Sequence, residues 1–185
     1  DRPLEPGDIV ALDAGAVVDG WHGDAAFTAV LPDHSRPDLT AANEKLSAVT
    51  EQAMWRGIAR LATAKHLNEV GDAVSKYVRS HSDYGVLEDY IGHGIGRSMH
   101  EDPPVFNVPV NRRGPEVKPG LVVAIEPIIS AGGIDTIIQD DDFDVHICAR
   151  ERRFDAIADR CFLITGGNQY RHFRRAAALG RRSNE

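Results

Sequence analysis

Two extended runs joined by Asp19-Gly20 constrain the fold of this chain more than any other feature. The runs DIVALDAGAVV, at 8–18, and WHGDAAFTAV, at 21–30, are typical of β-strands. Asp-Gly is a favoured pair in two-residue type I′ turns between antiparallel strands. The sequence therefore predicts a tight hairpin in which Val18 faces Trp21.

Two helices are predicted after this hairpin. The segment TAANEKLSAVTEQAMWRGIARL, at 40–61, repeats apolar residues at helical spacing, and Thr40 stands where an N-terminal cap would lie. A second helix is predicted from about Asn68, as its cap, to His81. One face of that helix would be apolar, formed by Val70, Val74, Tyr77 and Val78.

Beyond residue 84 the pattern returns to loops and strands. We predict a strand in LVVAIEPIIS, at 121–130, and a hairpin across 136–165. A strand pair, two helices and further strands favour an α+β fold over a doubly wound parallel one. The expected architecture is a mainly antiparallel sheet with helices on one face.

Length and composition predict one domain over residues 1–165 and a basic, flexible C-terminal tail over 166–185. The chain has 185 residues and 28 acidic against 21 basic side chains, a formal charge of −7, which argues against sequence-specific nucleic-acid binding. No apolar run is long enough for a membrane span, and two cysteines do not make a disulfide framework. A cytoplasmic protein is therefore expected. Because the chain starts at Asp1, we expect a removed N-terminus or a longer parent protein.

Two aspartates of the predicted hairpin indicate a metal site. Asp24 would face Gly15, and Asp13 lies two residues from Gly15 on the same sheet face, so the two backbones would be roughly 7 to 8 Å apart. Carboxylates this close repel each other unless a cation lies between them, although two solvated strand aspartates would also fit. His22 precedes Asp24 by two residues and shares its face, which allows a supporting role or that of an ordinary strand histidine.

Further candidate ligands lie in two later segments. Glu126 interrupts an apolar run, and a buried glutamate is paired, protonated or metal-bound. In GHGIGRSMHEDP, at 92–103, glycines surround His93, which would let a cofactor or substrate approach closely, although a plain glycine-rich loop is also possible. His100 is interpreted as a second active-site imidazole rather than a ligand of the same metal.

Three motifs together resemble the type I methionine aminopeptidases, over about residues 4–165: ALDAGAVVDGWHGDAA, GHGIGRSMHEDPPVFN and VKPGLVVAIEPIIS. The resemblance implies the pita-bread fold and two divalent ions, Mn, Fe, Co or Zn. The implied ligands are Asp13, Asp24, His93, Glu126 and Asp159. It also implies that Glu126 transfers protons and that His100 contacts the substrate carbonyl. Phe143 takes the place of a tryptophan near the methionine pocket.

The chain departs from the family pattern in two respects. Asp159 stands where a glutamate is usual, with Arg160 in place of a histidine, so the carboxylate has less reach and a cation beside it. The family's N-terminal segment, which supplies another substrate-facing histidine and part of the methionine pocket, is absent from this sequence. We therefore expect an N-terminally incomplete pita-bread fold.

The leading hypothesis is an aminopeptidase that removes the initiator methionine from methionyl peptides and nascent proteins. A proline-directed peptidase of the same fold is an alternative, although HGD and Arg97 are more typical of the methionine enzymes. A catalytically weak pita-bread protein that binds peptides or partners is another. Arginines of the tail could bring the protein to the ribosome, and the sequence predicts no membrane contact.

Overall fold

The computed structural model describes residues 3–132 and 163–164. Its first element is the hairpin of β1 (Ile9–Val18) and β2 (Trp21–Val30), which pair antiparallel along their whole length. Val18 faces Trp21 across a turn in which Asp19 has a φ of 51° and Gly20 a φ of 76°. Positive φ at both positions is the requirement of a type I′ turn. The predicted hairpin and its register are confirmed.

Helix α1 (Pro37–Leu61) begins three residues earlier than the sequence predicts, and the prediction that Thr40 caps it is wrong. Pro37 occupies the start of the helix, where its fixed φ is favourable and its missing N–H costs nothing. The hydroxyl of Thr40 instead accepts a hydrogen bond from the backbone N–H of Asp33, at 2.8 Å. This bond ties the loop after β2 to the first turn of α1.

Helix α2 (Glu69–His81) follows the prediction closely, with Asn68 immediately before it. The Asn68 side chain makes no capping hydrogen bond to the helix, and its Nδ2 donates to the carbonyl oxygen of Arg112 at 2.8 Å. Val70, Val74 and Val78 are fully buried, whereas Tyr77 is only partly buried. The apolar face is therefore confirmed for the three valines.

Gly57 sets the distance between the two helices. A Cβ at this position would lie 2.9 Å from Val74 of α2 and 3.3 Å from Ile125, so the absence of a side chain allows α2 and the segment around Ile125 to pack on α1. Ile125 is itself fully buried. The core thus joins the helices to the residue that precedes Glu126.

The remaining strands are short. They are β3 (Gly85–Val86), β4 (Gly92–Gly94), β5 (Glu101–Val105), β6 (Val123–Ala124), β7 (Ile129–Ser130) and β8 (Leu163–Ile164). β3 pairs antiparallel with β7, and a four-stranded sheet has the order β5-β4-β6-β8, antiparallel except between β6 and β8. The α+β class with mainly antiparallel pairing is confirmed.

The prediction of one continuous strand in LVVAIEPIIS is wrong. The segment contributes β6 to one sheet and β7 to another, and Glu126 lies in the interval between them. Pro127 has no N–H to donate to a strand partner, which favours an interruption here. Of the predicted hairpin at 136–165, only 163–164 is described, and the tail at 166–185 lies outside the described residues.

The part of the chain that the structure describes contains no helix that could span a membrane. Neither α1 nor α2 combines the length and the apolar character that a membrane-spanning helix requires.

Candidate metal centre

The hairpin carries the two predicted aspartates on one face. Gly15 faces Asp24, and Asp13 faces Ala26, the register that the sequence predicts. Asp13 as a whole residue is exposed. Desolvation of its carboxyl group nevertheless raises the pKa of Asp13, and the charge of Asp24 and a hydrogen bond with that carboxylate raise it further. The two acids are therefore close enough to compete for one proton.

His93 lies in β4 and is buried. Two of the glycines around it allow close packing of neighbouring backbones. A Cβ on Gly92 would overlap the carbonyl oxygen of Ala124 in β6, and one on Gly94 would overlap the carbonyl oxygen of Asp102 in β5. The glycines therefore allow the backbones of β5 and β6 to close on β4, which fixes the position of the imidazole.

The two ring nitrogens of His93 have different partners. Nδ1 lies 2.8 Å from the carbonyl oxygen of Gly94, and because a carbonyl only accepts, Nδ1 carries the proton of this bond. Nε2 lies 3.4 Å from Oδ2 of Asp24 and 3.2 Å from Oε1 of Glu126. A histidine held through Nδ1–H presents the Nε2 lone pair, as metal-binding histidines do.

Glu126 is half-buried rather than buried, with 41% of its side chain exposed. Desolvation raises the pKa of Glu126 to about 7; the charges of Asp24 and Asp13 contribute to this rise, and His93 opposes it. The backbone at this position is held by Asn107, a buried residue whose Nδ2 donates to the carbonyl oxygens of Tyr90 at 3.0 Å and Glu126 at 3.4 Å.

His100 lies beside His93, with ring centroids 4.4 Å apart and an edge-to-face arrangement. Unlike His93, His100 is exposed, so its ring can reach a bound molecule. His22 shares the face of Asp24, and its backbone N–H donates to the carbonyl oxygen of Gly96 at 2.8 Å. The Nδ1 of His22 is buried without a hydrogen-bond partner among the described residues.

Four of the five predicted ligands therefore come together: Asp13, Asp24, His93 and Glu126. Asp159 and Phe143 lie outside the described residues. Across residues 3–132 and 163–164, no three potential ligands are already arranged around a common point as they would be around a bound metal ion.

The donor set nevertheless fits a divalent cation. Three carboxylates and one imidazole are the mostly oxygen ligands that Mn²⁺, Fe²⁺, Co²⁺ or Zn²⁺ accept. Desolvation is the main cause of the raised pKa of Glu126 and of Asp13, and the crowding of neighbouring carboxylates adds to it, so ionised acids are costly here. A cation would relieve that crowding, and the orientation of His93 leaves Nε2 available to it.

Two neighbours of the site were missed by the sequence reasoning. Met99 packs on the same hairpin face as Asp24, since a Cβ on Gly15 would lie 2.5 Å from the Met99 methyl group. Asn107 holds the backbone of Glu126. Both residues stand within the quoted motif GHGIGRSMHEDPPVFN, but neither has a spacing that would single it out.

The metallopeptidase family M24 matches residues 1–173, and the chain belongs to that family. The chain is similar to the methionine aminopeptidases in particular. It is 40% identical over 147 residues to methionine aminopeptidase 1 of Mycobacterium tuberculosis, covering 77% of this chain and 53% of that protein. It is 37% identical over 131 residues to methionine aminopeptidase 1 of Bacillus subtilis, covering 71% and 50%.

Solved structures give the same result. The methionine aminopeptidase of Rickettsia prowazekii superposes with a TM-score of 0.65 at 35% identity, over 77% of this chain and 55% of that one. A prolidase from Pyrococcus furiosus has a TM-score of 0.50 at 22% identity, which shows the shared fold alone. The pita-bread fold is thereby confirmed. The chain spans about half the length of the curated relatives it matches.

Proposed function

We propose that this protein is a metal-dependent aminopeptidase that removes the N-terminal methionine from peptides and nascent proteins. The observation that carries the proposal is the convergence on His93, where Nε2 meets carboxylate oxygens from Asp24 and Glu126 and the His100 ring lies 4.4 Å away. The similarity of 33–40% to curated methionine aminopeptidases supports the choice of substrate.

The proposed ligands are Asp13, Asp24, His93 and Glu126, with Asp159 as a fifth. We propose two divalent ions, of Mn, Fe, Co or Zn, because four carboxylates and a neutral imidazole would balance two double charges. When bound, such ions act as Lewis acids on the scissile carbonyl and make water a stronger nucleophile at neutral pH.

Two residues of the chain would handle protons and charge. Glu126 can accept a proton from the attacking water and return it to the leaving amine. The exposed His100 can donate a hydrogen bond to the carbonyl oxygen as negative charge develops there. Such a donor contributes ~3 kcal/mol to the stabilisation of the transition state.

The substrate side of the site has two further proposed members. Phe143 would form part of the wall around the methionine side chain, and His22 would support Asp24 from the same strand. The comparisons do not support the alternative of a catalytically weak binding module, because the relatives described above are enzymes. The prolidase from Pyrococcus furiosus shares only the fold with this chain, at 22% identity.

The proposed partners follow from the substrate. Nascent chains present their methionine in the cytoplasm, where we place this protein. The sequence RHFRRAAALGRR near the C-terminus offers positive charge that could raise the rate of encounter with ribosomal RNA. Deletion of residues 171–185 should then weaken co-sedimentation with ribosomes, and unchanged co-sedimentation would remove this part of the proposal.

Methionine release tests the main proposal. Metal-stripped protein is titrated anaerobically with Mn²⁺, Fe²⁺ or Co²⁺ in the presence of Met-Ala-Ser, while bound metal is counted. Turnover should rise as the second ion binds. An Xaa-Pro peptide serves as the competing substrate and should not be cleaved; preference for it would favour the proline-directed alternative.

Substitution of His100 tests the catalytic assignment. His100→Ala should lower kcat by about 100-fold with metal content unchanged, because one donor to a developing oxyanion is worth that much. His34, which is exposed in the loop after β2, is the matched control, and His34→Ala should retain activity. Equal turnover in the His100→Ala protein would remove His100 from the mechanism.

A further inference from the structure

Arg97 connects the two segments that carry the candidate metal ligands Asp24 and His93, namely the β1–β2 hairpin and β4 with the loop that follows it. Its Nη1 donates to the carbonyl oxygen of Asp19 at 2.8 Å, and its guanidinium carbon lies 4.0 Å from the centre of the Trp21 ring. Gly20 lies directly below it, since a Cβ there would be 2.9 Å from Nη1. All three partners belong to the tip of the β1–β2 hairpin, whereas Arg97 belongs to the loop that follows His93.

The hairpin tip is not held by burial. Val17, Val18 and Trp21 expose 56%, 58% and 55% of their surfaces. Apolar packing at this end is therefore weak, and polar or stacking contacts decide where it lies. Besides Arg97, the tip is attached to the same loop through the hydrogen bond from the His22 N–H to the Gly96 carbonyl oxygen, at 2.8 Å.

Displacement of the tip would move a candidate ligand. Asp24 is three residues from Trp21 along β2, a distance of about 10 Å in an extended strand. The two strands are hydrogen-bonded throughout, so Asp24 and Asp13 move with the tip as one unit. The 3.4 Å contact between Asp24 Oδ2 and His93 Nε2 depends on the hairpin and the loop keeping their relative position.

We propose that Arg97 is a positioning residue that clamps the hairpin tip to the loop after His93 and thereby keeps Asp24 beside His93. The inference rests on the proposed function only for the statement that these two residues bind metal. Arginine suits the role because its planar guanidinium stacks on an indole and donates in its own plane at the same time. Lysine has a compact charge that can do only one of these well.

The test uses the full chain, with Co²⁺ as the metal probe and hydrogen exchange of the metal-stripped protein as a second readout. Arg97→Met keeps the length of the side chain but removes the charge and the donor. We expect its Co²⁺ dissociation constant to rise about tenfold, since exposed cation–π contacts alone contribute roughly two- to fivefold and the charged hydrogen bond adds to this. The His22 amide should also exchange faster with solvent.

Two further variants separate positioning from a general loss of stability. Arg97→Lys should recover part of the Co²⁺ affinity. Arg56 is the matched control, because it is an exposed arginine 5.5 Å from the Tyr77 ring on the helices, and Arg56→Met should change neither Co²⁺ affinity nor His22 exchange. If Arg97→Met folds poorly, Trp21→Leu removes the stacking partner instead and should weaken Co²⁺ binding by two- to fivefold.

The two proposals fail in different ways. Wild-type affinity and His22 exchange in Arg97→Met, both within about twofold, would overturn the clamp. So would equal effects of Arg97→Met and Arg56→Met. Failure of the wild-type protein to bind Co²⁺ would overturn the ligand set of the proposed function. The exchange rate of the His22 amide in Arg97→Met would still decide whether Arg97 holds the turn.

Discussion

The hairpin and the segment around β4 both supply candidate ligands, but they are built in opposite ways. β1 and β2 are ten residues each, pair with no other strand among the described residues, and expose much of their surface. β4 has three residues, all buried, and pairs with a strand on either side. The hairpin owes its shape to its own turn, whereas β4 owes its shape to the strands that close on it.

The glycines show this difference most directly. Gly23 in β2 has its nearest obstacle, the carbonyl oxygen of Ala16, 3.9 Å from where a Cβ would lie, which is an ordinary contact. Gly92 in β4 has no such space, because a Cβ would overlap the carbonyl oxygen of Ala124. Glycine is therefore optional at position 23 and required at position 92.

The largest expected effect comes from replacing one glycine with alanine in each region, which tests that comparison. Gly92→Ala forces β6 away from β4, and we expect a loss of about 3 kcal/mol or more in the free energy of unfolding, at the upper end of overpacking costs. Gly23→Ala is the control and should change it by less than about 1 kcal/mol. Urea denaturation of both variants measures the difference, and similar midpoints would show that the two regions do not differ.

A second prediction asks whether the two regions act as one site. Asp24→Asn on the hairpin should lower Co²⁺ affinity by about 100-fold or more, because even residues that only support a metal ligand contribute ~10–100-fold. The metal-stripped variant should not be less stable than the wild type, since one of the crowded carboxylates is gone. Asp89→Asn, at an exposed position outside the site, is the control for loss of a negative charge. Undiminished Co²⁺ binding by Asp24→Asn would separate the hairpin from the centre.

The same contrast explains how far the sequence could predict the molecule. The hairpin register, and with it the shared face of Asp13 and Asp24, follows from a two-residue turn and a period of two, both of which are local properties. The buried valines of α2 follow from helical spacing in the same way. Features of this kind can be predicted from the sequence because neighbouring residues determine them.

The errors arose where distant segments meet. The division of LVVAIEPIIS depends on β6 and β7 finding partners in different sheets. The hydrogen bond of Arg97 to the hairpin turn likewise joins residues 78 positions apart. Propensity and spacing carry no information on such contacts, so the sequence could name the candidate ligands but not what holds them together.

A smaller effect tests whether the turn residues themselves determine the conformation of the hairpin. Gly20 has a φ of 76°, and alanine at such a position costs about 1 kcal/mol because its Cβ approaches the backbone. Gly20→Ala should therefore lower the free energy of unfolding by about that amount, and Gly20→Asn by less, since asparagine tolerates this conformation better. A loss as large as that of Gly92→Ala, measured by urea denaturation, would show that the hairpin is not locally determined.

The smallest expected effect concerns the carboxylates where the two regions meet. Because desolvation raises the pKa of Glu126 to about 7, from an ordinary value of 4.5, the folded state favours the protonated acid. Its contribution to stability is therefore fully present below pH 4.5 and is lost as the pH rises through 7. In metal-stripped protein we expect the free energy of unfolding to fall by about 1 kcal/mol between pH 5 and 8, less than full linkage would give, because solvent screens the half-exposed carboxyl group.

Glu126→Gln should remove most of that fall, since a neutral amide does not titrate. A small part should persist at the acidic end, because the pKa of Asp13 is raised as well. Glu88→Gln, at an exposed position, is the matched control and should keep the wild-type dependence on pH. If the fall were the same in Glu126→Gln as in the wild type, Glu126 would not be a desolvated acid beside other carboxylates, and the argument for a cation there would lose its electrostatic support.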